Sequence, residues 1–393
     1  MVIRIALYSH DSVGLGHVRR NLAIAHALTS RLPALVGEEV TGLLISGQSA
    51  ATSFPTPPGW DWLILPSITT GPKGYSAQHL TAGLQRVTAV RGGSVEAAMA
   101  AFRPDLFVVD RHPFGVEREL DATLRWLRRN RPSCTTVLGL RDVLDEPSAT
   151  RAEWAAIGGA DAVRRAFDEI WVYGDPRVHD LTRTGELPAG LAPLVRHTGY
   201  LSHGRPGRGH PVADEPFVLT TVGGGSDGGA IAAAAARAAV PSGIRHVIVT
   251  GPEMPDDHRR AIRAAAGPLT TVTRSVPDAL ALIRRASAVV SMGGYNAVAE
   301  IMSTETPALI VPRDNRRVEQ PLRATALASL GAVETLPAAA ATPEALSAFF
   351  ARAVGTRVVR EGIDLDGLTV VADHAADLVA AARSRKELTE HAV

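Results

Sequence analysis

The sequence predicts an α/β protein of two parallel-sheet domains, and three observations carry that prediction. Its 393 residues are enough for two separate cores. Short, continuous apolar runs alternate with longer segments of helical spacing in both halves, the pattern of strands buried on both faces and of the helices that cover them. A stretch dense in Gly and Pro, residues 204–216, separates the two strand-helix series. The expected domains are therefore 1–203 and 217–367, with 204–216 as linker and a final helix, 368–393, packing back on the first domain.

The first series opens on the apolar run 2–9, which leads through SHDSVGLGHVRR into helical spacing over 21–32, so His17 falls at a strand-to-helix turn. Further strands are expected at 39–46, 62–65, 106–110, 135–140 and 169–173, and helices at 80–101, 116–129 and 150–167. Residues 66–78 are glycine-rich, polar and too long for a tight connection, which suggests an open, mobile loop. The second series has strands at 217–222, 246–250, 271–273, 288–290 and 308–311, with helices at 230–239, after Gly294, at 343–354 and at 368–385.

Composition excludes several classes. A net charge of +1 gives no reason to expect a nucleic-acid partner. Lys73 and Lys386 are the only lysines, a bias that reads as coding preference. The single cysteine, Cys134, excludes an internal disulfide. No apolar run reaches the ~18 residues of a spanning helix, and the chain enters its first strand with no cleavable signal before it, so a cytoplasmic protein is expected, with peripheral membrane association left open.

The chemistry clusters at strand ends. GGGSDGG (Gly223–Gly229) follows a strand and opens a helix, where glycines let backbone approach an anion and the free N–H groups of the helix start point at it. A tight strand-helix turn without a ligand would look the same. In GLGHVRR, His17 is a candidate general base, because imidazole titrates near neutral pH; capping the helix is the plain alternative, and His10 or Asp11 could take the role. Asp110 ends a strand and is the best candidate to orient that base, with Asp142 a rival and helix capping the alternative. GLGHVR resembles a dinucleotide turn only in its first glycines: Arg19 occupies the third position, and no acidic residue ends the second strand, so NAD is not expected. Asp364-Leu365-Asp366 stands away from any strand-end cluster, and no grouping has zinc-like spacing; neither metal nor cofactor is expected.

Downstream, the strand 288–290 runs into a turn with Gly293 and Gly294, then Tyr295 and Asn296 open a helix carrying Glu300. The strand 308–311 ends in Val311-Pro312, and Glu319-Gln320 follow a polar loop, 313–317. This segment resembles the donor-binding half of GT-B-fold glycosyltransferases, most closely the UDP-N-acetylglucosamine transferase of peptidoglycan assembly and its relatives (family 28 type). The resemblance implies two Rossmann-like domains facing across a cleft. It implies that Glu300 holds ribose hydroxyls, that Glu319 and Gln320 hold sugar hydroxyls, and that Gly224, Gly225 and Ser226 take the diphosphate. Gly16, Val276, Gly293, Gly294, Tyr295 and Asn296 complete the expected donor contacts, Val276 through backbone to the base. His203 stands where the family has an arginine reaching the diphosphate, and Glu319 where the closest relatives have Gln.

The implied activity is an inverting, metal-independent hexosyl transfer from a nucleotide-sugar, expected to be a UDP-sugar, to an acceptor hydroxyl. Inversion is expected because Met292 stands where retaining relatives carry a second glutamate. The alternatives are a nucleotide-sugar epimerase or hydrolase of the same fold, or a non-catalytic sugar-nucleotide-binding protein.

Overall fold

A computed structural model describes residues 2–10, 14–71, 74–207, 215–313 and 318–391, the side chains of 386–391 excepted. The chain divides into two compact units: Met1–Pro176 with Asp180–Arg205 and Asp366–Val393, and Pro206–Leu365 with Arg177–His179. Residues 208–214 of the expected linker, together with Asp11, Lys73 and residues 314–317, lie outside the described residues.

In the first unit, β1 (Val2–Ser9), α1 (Gly16–Val36), β2 (Glu39–Ser46) and β3 (Trp60–Ile64) are followed by the short strands β4 (Ile68–Gly71) and β5 (Gly74–Ala77). Then come α2 (Leu84–Phe102), β6 (Leu106–Asp110), α3 (Asp121–Asn130), β7 (Thr135–Arg141), α4 (Pro147–Ala156), α5 (Gly159–Ala166), β8 (Glu169–Tyr173) and β9 (Val195–His197). Seven of these strands form one parallel sheet in the order β3-β2-β1-β6-β7-β8-β9. Every residue of β6 is buried, as expected of a strand covered on both faces.

Three expectations are corrected. Residues 66–78 are not an open loop: β4 and β5 pair antiparallel, Ile68 opposite Ala77, and Ile68 buries itself against Val87 and Val116. The β-branched and aromatic residues Ile68, Thr69, Thr70 and Tyr75 favour this extended pairing. The helix expected over 150–167 is two helices, broken where Gly158 and Gly159 take φ of 97° and 68°. The helix expected from 116 begins at Asp121, because Gly115, Glu117 and Arg118 all adopt positive φ.

The second unit contains β10 (Phe217–Thr221), α6 (Gly229–Arg237), β11 (Arg245–Val249), α7 (Asp256–Ala265), β12 (Thr270–Thr273) and α8 (Ala279–Arg285). It continues with β13 (Ala288–Ser291), α9 (Tyr295–Met302), β14 (Ala308–Ile310), α10 (Glu319–Ser329), β15 (Glu334–Thr335) and α11 (Pro343–Ala353). Its six-stranded sheet is parallel throughout, in the order β12-β11-β10-β13-β14-β15. In both sheets the first strand of the unit lies between strands running off in opposite directions of sequence. The topological switch points are therefore the β1/β6 and β10/β13 edges.

The final helix, α12 (Gly367–His391), belongs to the first unit and runs beside α1. Leu368, Val371, Ala372, Ala375, Val379 and Ala382 form its buried stripe. Arg383 grips Glu38 through both nitrogens, at 2.8 and 2.7 Å. No helix among the described residues is long and apolar enough to cross a membrane.

Burial sets the protonation of two groups that lie away from the strand ends where ligands would bind. The Cys134 thiol is pushed up to about 12 by burial, which leaves it an inert core group. His246, on β11, is fully buried; its Nε2 lies 2.9 Å from Thr220 Oγ1 and its ring meets Phe350 edge-on. Burial lowers it from 6.5 to about 4, so the unfolded chain binds the proton more readily than the folded one. Stability from this residue is therefore intact above pH ~6.5 and lost as pH falls toward 4, by roughly 3 kcal/mol in total. His246→Gln, which keeps a hydrogen-bonding side chain without a titration, flattens that acid limb in hydrogen-exchange protection of the β10 and β11 amides. An unchanged slope between pH 6.5 and 4 would show that His246 is not its source.

Candidate active site

The first switch point gathers His17, Asp110 and Arg20. His17 lies in the first turn of α1, which no side chain caps, and Asp110 ends β6. His17 Nδ1 is 2.7 Å from Asp110 Oδ2. Arg20 donates from Nη2 to Oδ2 at 2.6 Å and from Nε to Oδ1 at 3.2 Å, and its Nη2 lies 3.0 Å from His17 Nδ1. Burial opposes charge on Asp110, but Arg20 and His17 beside it prevail and hold its carboxyl well below the usual carboxylate range. An ionised Asp110 accepts only, so the short contact assigns the proton to Nδ1 and leaves the Nε2 lone pair of His17 to act as base. Asp110 is wholly buried, whereas the His17 side chain is 19% exposed and open to a reactant.

Around this trio lie His10, His112 and Tyr75. The His10 ring stands 3.9 Å from that of His112 and 6.0 Å from that of His17, and its Nε2 is 2.9 Å from the Tyr75 hydroxyl on β5. Burial, then the nearby His17, hold His10 well below the usual histidine range. His10 is 4% exposed, against 19% for the His17 side chain. Arg111 follows Asp110 with φ of 70°, a conformation that costs a non-glycine residue about 1–3 kcal/mol. It is held by Glu153 at 2.7 Å and by its backbone N–H on Gly139 O at 2.8 Å. Asp142 is wholly buried and accepts from the Tyr200 hydroxyl at 3.0 Å, which makes it a structural anchor. Gly16 is the exposed first residue of α1. His203 is exposed and pairs with Asp366 at 2.8 Å at the start of α12.

The second switch point is built from two glycine turns. Gly223 and Gly225 take φ of 63° and 95°, and a Cβ on Gly225 would stand 2.1 Å from Thr250 O. A Cβ on Gly228 would fall 2.3 Å from Val222 Cβ. The turn therefore needs glycine to pack on its own scaffold, which leaves Gly224 and Ser226 exposed before the uncapped start of α6. Glu253 lies over Gly224: its N–H donates to Gly224 O at 2.8 Å, and a Cβ on Gly224 would be 3.2 Å from its Oε2.

At the neighbouring turn Gly293 has φ of 79°, and its carbonyl accepts from Arg323 Nη1 at 3.1 Å. Arg323 also lies over the Tyr295 ring, 5.7 Å from its centroid, so Tyr295 is held as part of the packing beneath the turn. Gly294 precedes α9, a helix buried on nearly every side that includes Asn296 and, at 5% exposure, Glu300. Glu319 and Gln320 open α10, both buried, and Gln320 Oε1 accepts from the Arg313 N–H at 3.1 Å. Val276 is half-buried in the turn after β12, beside Asp278, whose carboxylate caps α8 through the Ala281 N–H at 2.9 Å. Among the described residues no three His, Cys, Asp or Glu side chains are grouped to hold a metal ion.

Residues 220–354, about a third of the chain, match the glycosyltransferase family 28 C-terminal domain. The matched segment lies within the second unit. No curated protein matches the sequence. Among solved structures, CalG4, the calicheamicin glycosyltransferase, is similar over 98% of both chains at 18% identity and a TM-score of 0.59. MurG from Acinetobacter baumannii is similar over 96% of this chain and 99% of its own, at 16% identity and a TM-score of 0.52. A candidate UDP-N-acetylglucosamine 2-epimerase from Listeria monocytogenes is similar over 95% of both chains, at 13% identity and a TM-score of 0.60. These likenesses show the GT-B fold that the sequence predicted, two Rossmann-like domains.

The family 28 segment spans both glycine turns, Glu300 and the Glu319-Gln320 pair. Sequence reasoning missed Arg20, which sits three residues after His17 on one face of α1; that spacing was the available signal. It also missed Asp227 and Glu253 at the first glycine turn, because a carboxylate beside an expected phosphate loop has no sequence signature.

Proposed function

We propose that the protein is an inverting glycosyltransferase that moves a hexosyl group from a nucleoside-diphosphate sugar, with UDP-sugars the first choice, to an acceptor hydroxyl. The observation that carries this is the 2.7 Å contact between His17 and Asp110, in a chain whose other unit contains the segment that matches the family 28 domain. His17 Nε2 takes the acceptor proton as the acceptor oxygen attacks the anomeric carbon, and the bond to the diphosphate breaks on the opposite face. Asp110 steadies the imidazolium that forms. The Gly224 to Ser226 backbone and the start of α6 stabilise the charge gathering on the departing diphosphate, the group whose stabilisation accelerates the step. Met292, at the place of the second glutamate of retaining relatives, is buried and offers no nucleophile, in keeping with a single displacement.

Donor recognition rests on Glu300. A panel of UDP- and dTDP-sugars at 100 times their dissociation constants should stabilise the protein by about 2.7 kcal/mol. Glu300→Ala should weaken those affinities by about 10- to 100-fold, as expected for hydrogen bonds to a charged group worth about 1.5–3 kcal/mol. Unchanged affinity in the variant removes Glu300 from the site. Incubation of each donor alone, followed by product analysis, separates the rival chemistries: a new epimer or free sugar formed without acceptor rejects transfer in favour of epimerisation or hydrolysis.

A further inference from the structure

Arg313 is the first residue after Val311-Pro312, at the end of β14. Its Nη1 is 3.1 Å from Asp227 Oδ2 in the first glycine turn, and its Nη2 is 3.5 Å from Glu319 Oε1 at the start of α10. One guanidinium thus joins the turn read as the diphosphate site to the residue pair read as the sugar site. Its Nε is buried and has no hydrogen-bond partner among the described residues. The side chain remains 22% exposed, so it is neither locked in the core nor freely solvated.

The local charge balance is unfavourable for an anion. Asp227 and Glu319 both face Arg313, and Glu253 lies over Gly224. A diphosphate entering this turn meets carboxylates on two sides and needs a cation that can be released to it. A partly exposed ion pair such as Arg313–Asp227 is weak enough to exchange. The planar fork of arginine, meanwhile, matches two phosphate oxygens better than one carboxylate oxygen at each end.

We propose that Arg313 is the diphosphate clamp of the donor site: on donor binding its guanidinium turns from Asp227 and Glu319 to the phosphate oxygens. This rests on the nucleotide-sugar reading above. No covalent bond is made or broken in the exchange. The site then prefers a nucleoside diphosphate to the bare nucleoside, and Asp227 acts as the competitor that keeps the clamp neutralised when the donor is absent.

The test is calorimetric titration of the full chain with UDP and dTDP and with uridine and thymidine, each variant first checked by circular dichroism for the wild-type fold. Arg313→Gln should weaken the diphosphates by at least tenfold and leave the nucleosides within twofold. Asp227→Asn, by removing the competitor, should tighten the diphosphates several-fold. The proposal is overturned if Arg313→Gln weakens nucleoside and diphosphate equally. It is equally overturned if Asp227→Asn weakens diphosphate binding as Arg313→Gln does, since the pair would then be only a brace for the turn. Wild-type protein that binds none of the four compounds rejects the nucleotide-sugar reading itself, whereas tight diphosphate binding that Arg313→Gln leaves unaltered rejects the clamp alone.

Discussion

Replacing His17 with alanine should lower kcat/KM for glycosyl transfer by about 10²- to 10⁴-fold, the usual worth of a positioned general base, while leaving affinity for nucleoside diphosphates within twofold. The split follows from geometry. His17 is partly exposed at the end of the first sheet and its hydrogen-bonding neighbours include Asp110 and Arg20, whereas both glycine turns and Glu300 belong to the second unit. Asp110→Asn should cost nearly as much for a different reason. His17 Nδ1 and Arg20 Nη2 share Oδ2, so the carboxamide oxygen of the new residue would take that place and accept from both, with its NH2 group set against Arg20 Nε. The tautomer of His17 would survive, but the negative charge that steadies the imidazolium would be gone and a buried arginine would lose its counter-charge. Initial rates with a fixed donor, beside titrations of the same variants, measure both effects. A His17→Ala enzyme that keeps its rate within a few-fold would falsify the assignment of the base.

The second large effect concerns stability. Glu119→Ala should destabilise the first unit by about 3–5 kcal/mol, because it strands a buried arginine. Arg91 is wholly buried and donates to Glu119 from Nε at 2.6 Å and from Nη2 at 2.8 Å; the Tyr8 hydroxyl donates to the same carboxylate. Burial, then the Glu119 charge, raise Tyr8 well above the usual phenol range and keep it a donor. The third Arg91 nitrogen donates to Pro66 O at 2.8 Å, so the network ties β1, α2 and the approach to the β4–β5 hairpin together. Removing the carboxylate leaves the guanidinium without its counter-charge, whereas the double replacement Glu119→Leu with Arg91→Met removes both and should recover most of the loss. All five tryptophans, Trp60, Trp62, Trp126, Trp154 and Trp171, lie in the first unit, so fluorescence in a urea titration reports that unit by itself. A single variant within 1 kcal/mol of wild type would remove the network from the stability of the unit.

Much of this architecture was legible because parallel strands buried on both faces are written as unbroken apolar runs. Glu39–Ser46, Leu106–Asp110 and Glu169–Tyr173 begin and end where the runs do. What was hidden depended on backbone choices made by few residues. The Gly158-Gly159 break and the positive φ at Glu117 and Arg118 shortened helices that apolar spacing alone would have extended. The β4–β5 hairpin is masked by the glycines that flank its short strands. At the site, the juxtaposition of His17 and Asp110 could be read because β1 and β6 are neighbours in a parallel sheet, which brings their carboxyl ends together. Arg20 was passed over despite its spacing from His17, since an arginine on a helix is ordinarily read as solvated and only the packing of α1 shows it buried against Asp110. In the second unit the family 28 pattern was visible as a glycine turn, a glutamate and an amide at their spacings. The acidic surroundings of the first glycine turn, Asp227 and Glu253, arise from separate segments that only the fold assembles.

The pairing of α12 with α1 has a bearing on synthesis. The chain leaves the first unit near Arg205 and re-enters it at Asp366, so an emerging polypeptide has the whole of the intervening unit outside the ribosome before the stripe from Leu368 to Ala382 arrives. The α1 flank of the first unit is thus the part of it that is covered last. A fragment truncated at residue 205 would leave the α1 flank unsealed and prone to self-association, and a covalently joined 1–205 and 366–391 is the smaller piece suited to independent preparation.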